Sequence, residues 1–208
     1  MARITGPVCR VCRRLGDKLY LKGDKCFTHS CPFERRPYAP GQRSTRRRKV
    51  SDRGLQLREK QKARAVYGVL ERQFRRYYED AVRRPGITGE MLLRTLELRL
   101  DNVVYRLGFA NSRAQARQVV LHGHIAVNGR KSAIPSHVLK VGDAVSWTLR
   151  GSNSEPFNLA KEQVGGKTIP SWLSLDVENM GGRVLALPEV EEIGAKFSPA
   201  TIVGYYSR

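Results

Sequence analysis

The chain has 208 residues, 40% of them apolar and 27% charged, and its 38 Lys and Arg against 19 Asp and Glu give a net charge of +19 and a pI near 10.4. Such a balance repels itself unless a polyanion neutralises it, which points to nucleic acid. No apolar run approaches the roughly 20 residues that cross a bilayer, and MARITGPVCRVCRRLG has no apolar stretch after its first Arg, so we expect a protein of the reducing cytosol, neither membrane-spanning nor secreted.

Every cysteine falls in residues 9–31, CRVCRRLGDKLYLKGDKCFTHSC, spaced C-x2-C, thirteen residues, then C-x4-C. In a reducing compartment four clustered thiols read as metal ligands before disulfides. Cys9 and Cys12 supply one pair, Cys26 and Cys31 the other, a set suited to one structural zinc ion with no open coordination position. Arg10, Arg13, Arg14, Lys18 and Lys25 crowd the loop and favour thiolates. An iron–sulfur cluster or free thiols are the alternatives, and His29 reads as a solvated surface residue.

Next comes ERRPYAPGQRSTRRRKVSDRG, whose Pro37, Pro40 and Gly41 deny helix and ladder bonding. We expect an extended arm lined by Arg35, Arg36, Arg43, Arg46, Arg47, Arg48 and Lys49 that orders against phosphates by counterion release. Residues 1–50 carry a net +11, residues 51–100 and 101–150 +5 each, and residues 151–208 −2. The polyanion therefore meets the first three-quarters of the chain.

Ser51 can cap a helix running toward Tyr67, with Gly68 as its stop. Leu70, Phe74, Tyr77, Tyr78 and Ala81 recur at helical spacing before Pro85-Gly86, and these aromatics read as core. Leu92, Leu96, Leu100, Val103 and Leu107 continue a helical stripe to Gly108. Arg94 lies on the opposite face, whereas Arg99 and Arg106 fall along an edge where a stem can pack while the guanidinium reaches out.

In SRAQARQVVLHGHIAVNG, Ser112 and Gln115 fit a capping box for a short helix that Gly123 stops. A strand over 125–127 then runs into Asn128-Gly129, the pair favoured by two-residue hairpins. Arg113, Arg117, His122 and His124 are thereby grouped on one edge of a helix-plus-hairpin module, as phosphate or sugar contacts. In VGDAVSWTL, Val145, Trp147 and Leu149 alternate as in a half-buried strand, with Trp147 as sheet core. SNSEPFNLAKEQVGGKT shows turn residues and little periodicity.

CRVCRR and CFTHSC, RRPYAPGQ, LREKQKARAVYG, RLDNVVYRLGFANSRAQARQVVLHGHIAVNG, IPSWLSLD and the terminal YYSR together resemble the bacterial small-subunit ribosomal protein four family, the S-four family, in its zinc-bearing form. The resemblance runs the length of the chain. It implies an α+β fold: a zinc knuckle and basic arm (1–50), a helical domain (51–98) joined by a C-terminal return (178–208), and an RNA-binding domain with a small antiparallel sheet (99–177). It implies a non-enzymatic constituent of the cytoplasmic small ribosomal subunit that binds 16S ribosomal RNA early in assembly and contacts neighbouring small-subunit proteins. A place along the path by which messenger RNA enters, and an influence on decoding accuracy, are also implied. Carried over residue by residue, Cys9, Cys12, Cys26 and Cys31 are the zinc ligands, and Arg99, Arg113, Arg117, His122, His124 and Asn128 lie on the RNA-facing module; Arg106, on the helix edge, is added to the RNA-binding set. Arg58 and Lys62, in LREKQKARAVYG, join the RNA-binding set. After PGQ the family usually continues with His-Gly, where Arg43-Ser44 stands here.

Two rivals belong to other classes. RNA-modifying enzymes such as pseudouridine synthases share the helix-plus-hairpin module and place a catalytic Asp in an Arg-Leu-Asp motif, present here as Arg99-Leu100-Asp101. That motif precedes the module here, and the chain beyond Gly129 is short for a catalytic domain. A free-standing RNA-binding translational regulator would use the same RNA surface.

Overall fold

The computed structural model describes residues 5–42 and 49–207. In chain order the helices are α1 (Val8–Leu15), α2 (Pro32–Arg35), α3 (Asp52–Val66), α4 (Glu71–Val82), α5 (Thr88–Glu97), α6 (Leu100–Arg106), α7 (Arg113–Leu121), α8 (Leu149–Ser152), α9 (Glu155–Gln163), α10 (Val190–Ile193) and α11 (Pro199–Tyr206). Five strands accompany them: β1 (Ile125–Val127), β2 (Arg130–Lys131), β3 (Ala144–Trp147), β4 (Leu173–Asp176) and β5 (Gly181–Val184). Among the described residues no helix is long and apolar enough to cross a membrane.

The chain divides into two compact units, Met1–Leu93 with Ala195–Arg208, and Arg94–Gly194. In the first, the Ser51 hydroxyl accepts from the Gly54 N–H at 3.2 Å and starts α3, as its position predicts. Helix α11 packs against α3. Phe74, Tyr77 and Ala81 of α4 are buried, and the Tyr206 ring stacks on Tyr78 at 4.6 Å and lies 6.4 Å from Phe74. The seam is polar at one point: Lys60 and Arg64 donate to Glu71 at 2.6 and 2.9 Å, and the Tyr206 hydroxyl donates to it at 2.9 Å.

The second unit carries an antiparallel sheet of order β2-β1-β3-β5-β4. Its core gathers Leu100, Val103, Val104 and Leu107 of α6, Ala116, Val119 and Val120 of α7, and Ile125, Val127, Val145, Leu173 and Val184 of the sheet. Asn128 and Gly129 both have positive φ, 50° and 76°, as a two-residue hairpin turn requires. Trp147 lies 5.7 Å from Phe109 and 5.3 Å from Phe157, so it is sheet core.

Three expectations need correction. The stripe from Leu92 to Leu107 is two helices, because Arg99 is extended (φ −64°, ψ 137°) and the flanking backbone bonds elsewhere. The Leu100 N–H donates to His137 O and the Leu139 N–H to Leu98 O, each at 2.8 Å. Leu149 leaves the strand pattern because the Thr148 hydroxyl accepts from the Gly151 N–H at 3.0 Å and turns the chain into α8; Leu149 is 90% exposed. The aperiodic stretch after it holds α9, with Pro156 in its first turn, where the missing N–H costs nothing. Finally, residues 178–194 remain in the second unit because β5 pairs with both β3 and β4, so the C-terminal return begins at Ala195.

Candidate nucleic-acid interface

Helix α7 is started by Ser112, whose hydroxyl accepts from the Gln115 N–H at 3.2 Å. The Gln115 side-chain oxygen reaches one residue beyond the capping-box position, accepting from the Asn111 N–H at 2.9 Å. This fixes where Arg113 and Arg117, one turn apart, leave the helix.

Both guanidiniums are tethered from below. Arg117 Nη1 donates to Asp101 Oδ2 at 2.9 Å, and Arg113 Nε donates to Asn102 Oδ1 at 2.7 Å while its guanidinium lies 4.6 Å from the Tyr105 ring centroid. The Glu97 carboxylate, fully buried, takes two donors from Arg106, both at 2.9 Å, and one from the Asn102 amide at 2.7 Å. Arg99 Nε and Nη2 donate to the two oxygens of Asp101 at 3.0 and 2.6 Å. Four guanidiniums thus meet two carboxylates, so the cluster keeps a net positive charge.

Arg99 departs from the expected outward reach: it is 1% exposed and its guanidinium binds Asp101, so it holds the cluster together. Arg106 also serves the scaffold, donating further to Ile193 O at 3.1 Å. Asn128 lies exposed on the hairpin, but its amide donates to Asp143 at 2.8 Å and accepts from the Ala144 N–H at 2.9 Å, which ties the hairpin to β3.

Beyond the far end of α7, His122 is exposed and its ring lies 5.9 Å from that of His124. Burial pushes the His124 imidazole below its ordinary value, reinforced by His122, Arg150 and Lys131. Gly123 sits at φ 74°, a conformation that favours glycine, and the Lys131 stem crosses the turn, its Cε 2.2 Å from where a Cβ would stand. Lys131 and Arg150 give this end its positive charge, with His122 and His124 beside them. Among the described residues no carboxylate is ion-paired with Lys131 or Arg150. Sequence reasoning missed both; the glycine between two histidines was the available signal.

In the first unit, Arg35, Arg36, Lys49 and Arg58 are exposed. Lys62 is bound to Asp17 and, at 2.6 Å, to Glu59; burial would lower its pKa, but these hydrogen bonds outweigh it and raise it. Arg43, Arg46, Arg47 and Arg48 lie outside the described residues. Cys9, Cys12, Cys26 and Cys31 line one small pocket with Leu21 and Phe33. Burial pushes the Cys12 thiol up, the Leu19 backbone N–H opposes this, and the other three cysteines add to it. The Lys22 N–H donates to Cys26 Sγ at 3.3 Å. Among the described residues, no three His, Cys, Asp or Glu side chains are grouped, as they stand, to hold a metal ion.

Two family profiles match the chain, "Ribosomal protein S4/S9 N-terminal domain" over residues 3–97 and "S4 domain" over residues 98–145. The small ribosomal subunit protein uS4 of Dictyoglomus turgidum is 58% identical over 208 residues, covering the whole of both chains. The chain belongs to the uS4 family. The uS4 protein of Heliobacterium modesticaldum is 56% identical and the uS4A protein of Clostridium botulinum 55%, again over the full length of both chains. The junction of the two uS4 profiles falls inside the Glu97–Arg99 segment, where the buried cluster begins. The uS4 family is structural and non-enzymatic, and Asp101, the residue an Arg-Leu-Asp enzyme would use, is 4% exposed and bound to Arg99 and Arg117.

Proposed function

We propose that this chain is a structural constituent of the small ribosomal subunit that binds 16S ribosomal RNA and neighbouring small-subunit proteins in the cytoplasm. The observation that carries the reading is the tethered guanidinium pair, Arg113 and Arg117, on the same module as the His122, His124, Lys131 and Arg150 end. Cations held at fixed spacing match a defined set of phosphates, whereas the arm residues Arg35, Arg36 and Lys49 add charge without register. An early role in assembly of the subunit body, a position beside incoming messenger RNA and an effect on accuracy follow from the family resemblance.

The cysteines extend the proposal. Cys9, Cys12, Cys26 and Cys31 would hold one zinc ion, which supplies a covalent-strength cross-link and no catalysis. The donor set supports this: four thiols on one pocket, with backbone N–H groups of Leu19 and Lys22 bonded to sulfur. Zinc would fold the knuckle and leave RNA selectivity to the arginines. Cys26→Ser should lose metal by elemental analysis and expose the N-terminal segment to protease; an unchanged metal content and digestion pattern would remove the zinc site.

Binding to 16S ribosomal RNA and to unrelated RNA of equal length, across a salt series, tests the main reading. With roughly six to ten phosphate contacts, affinity for either should fall about a thousandfold or more from low to moderate salt. The ribosomal RNA should stay far tighter at high salt; equal decline would leave only a generic polyanion binder. A free-standing regulator would reveal itself by binding a messenger leader in competition with ribosomal RNA.

A further inference from the structure

Phe27 is 73% exposed, the most exposed aromatic side chain among the described residues. Solvation alone does not explain it, because its ring stacks on Tyr20 with centroids 4.9 Å apart and planes at 27°. One ring face is covered by Tyr20, so the exposure comes from the other face and the edges. An aromatic pair that buries so little area is poor core and a ready surface for a third flat ring.

The backbone under the pair is fixed. Phe27 follows the short turn Gly23–Cys26, its N–H donates to Asp24 O at 2.9 Å, and Cys26 is buried. Tyr20 adopts φ 53°, a conformation an aromatic residue takes only at a cost, so its placement is imposed by its surroundings. Each ring neighbours a residue hydrogen-bonded at a cysteine: Leu19, whose N–H reaches Cys12, and Cys26, whose sulfur accepts from Lys22.

The charge around the pair selects the occupant. The ammonium groups of Lys196 and Lys18 lie 4.2 and 5.3 Å from the Tyr20 ring centroid, and Lys22 and Lys25 are exposed beside it. Glu34 binds Lys18. A flat π surface ringed by cations fits a base carried on a phosphate backbone. We infer that Phe27, stacked on Tyr20, is a platform for an unpaired base of the bound RNA, a contact that rests on the RNA-binding reading above.

Stacking neutralises no phosphate, which sets its signature. Phe27→Leu should weaken binding to transcribed 16S ribosomal RNA by about five- to a hundredfold, while the slope of log Kd against log salt stays that of the parent. Phe27→Tyr should bind as the parent does. Ultraviolet crosslinking of the unaltered chain to the same RNA, read by mass spectrometry, should place a nucleotide adduct on Phe27 in the tryptic peptide CFTHSCPFER. A Phe27→Leu affinity within twofold of the parent, equal loss in Phe27→Tyr, or adducts elsewhere on the chain with none on Phe27 each overturn the platform. Failure of the parent to prefer ribosomal RNA overturns the RNA-binding reading itself and the platform with it.

Discussion

Asp101→Asn is the sharpest test of the buried cluster, because it changes charge without changing shape. The carboxylate accepts three hydrogen bonds, from Arg99 at 3.0 and 2.6 Å and from Arg117 at 2.9 Å, and its side chain is 5% exposed. The amide keeps one acceptor oxygen and turns an N–H2 donor toward guanidinium donors. Removing one partner of a buried ion pair costs about 3–5 kcal/mol, since the remaining charge stays desolvated. At about 2–4 °C per kcal/mol for a chain of this size, the melting temperature followed by circular dichroism should fall by roughly 6–20 °C. Arg99→Met supplies the comparison: it fills similar volume and leaves Asp101 bound to Arg117, so it should cost less than Asp101→Asn. An Asp101→Asn melt within about 2 °C of the parent, or a larger loss in Arg99→Met, would refute the assignment of Asp101 as the shared counter-ion.

Glu71 gives an acid-range prediction. Burial would raise its carboxyl, but hydrogen bonds from Lys60, Arg64 and Tyr206 outweigh that and hold it below the ordinary 4.5. Its stabilising contribution is present above about pH 4.5 and is lost as pH falls through the lower folded value. The stability gap between the parent and Glu71→Gln, measured by urea unfolding, should therefore close between pH 6 and pH 3. His124 has the opposite charge type but also a lowered pKa: folding favours its neutral form, so its contribution is intact above 6.5 and lost as pH falls below that value. Phosphates beside it favour the protonated ring, so RNA affinity should strengthen from pH 8 to pH 5.5, and less so in His124→Gln. Gly182→Ala should destabilise the second unit by about 1–3 kcal/mol, because the new Cβ would meet Leu107 Cδ2 at 2.4 Å and Ser174 O at 2.9 Å; denaturant midpoints check this.

Local chemistry in the sequence foretold local structure well. Ser51 and Ser112 cap the helices they should, and Asn128-Gly129 makes the hairpin, because each signal and its effect lie within three or four residues. What escaped was set by distant chain. The apolar stripe runs unbroken through Leu98–Leu100, yet the helix breaks there because the backbone bonds to His137 and Leu139. Arg99 reads as an outward cation from its place along the edge of the apolar stripe, and that spacing carries no sign that Asp101, two residues on, is its buried counter-ion. Lys131 and Arg150 approach the histidine turn from separate elements, which no spacing rule encodes. Phe27 gives no signal of its own within the cysteine segment, because its stacking partner Tyr20 lies on the far side of the turn at Gly23–Cys26.

Each carboxylate in the cluster cancels a positive charge, which by itself would oppose RNA binding. Their positions argue otherwise. Glu97 and Asp101 lie beneath the module, fully or nearly buried, and they bind their arginines from the inner side, so the charge they remove is charge that would otherwise be desolvated. In return Arg113 and Arg117 are fixed on α7 before RNA arrives. A long guanidinium side chain ordered only on binding costs about 0.5–1.5 kcal/mol each, and tethering moves that cost into folding. On the proposed reading the same logic separates this module from the arm: Arg35, Arg36 and Lys49 are exposed and would add salt-dependent attraction, whereas the tethered pair would set register. Neutralising arm residues should therefore reduce the salt slope with little change in preference for ribosomal RNA, and loosening Arg117 through Asp101→Asn should reduce the preference with little change in slope.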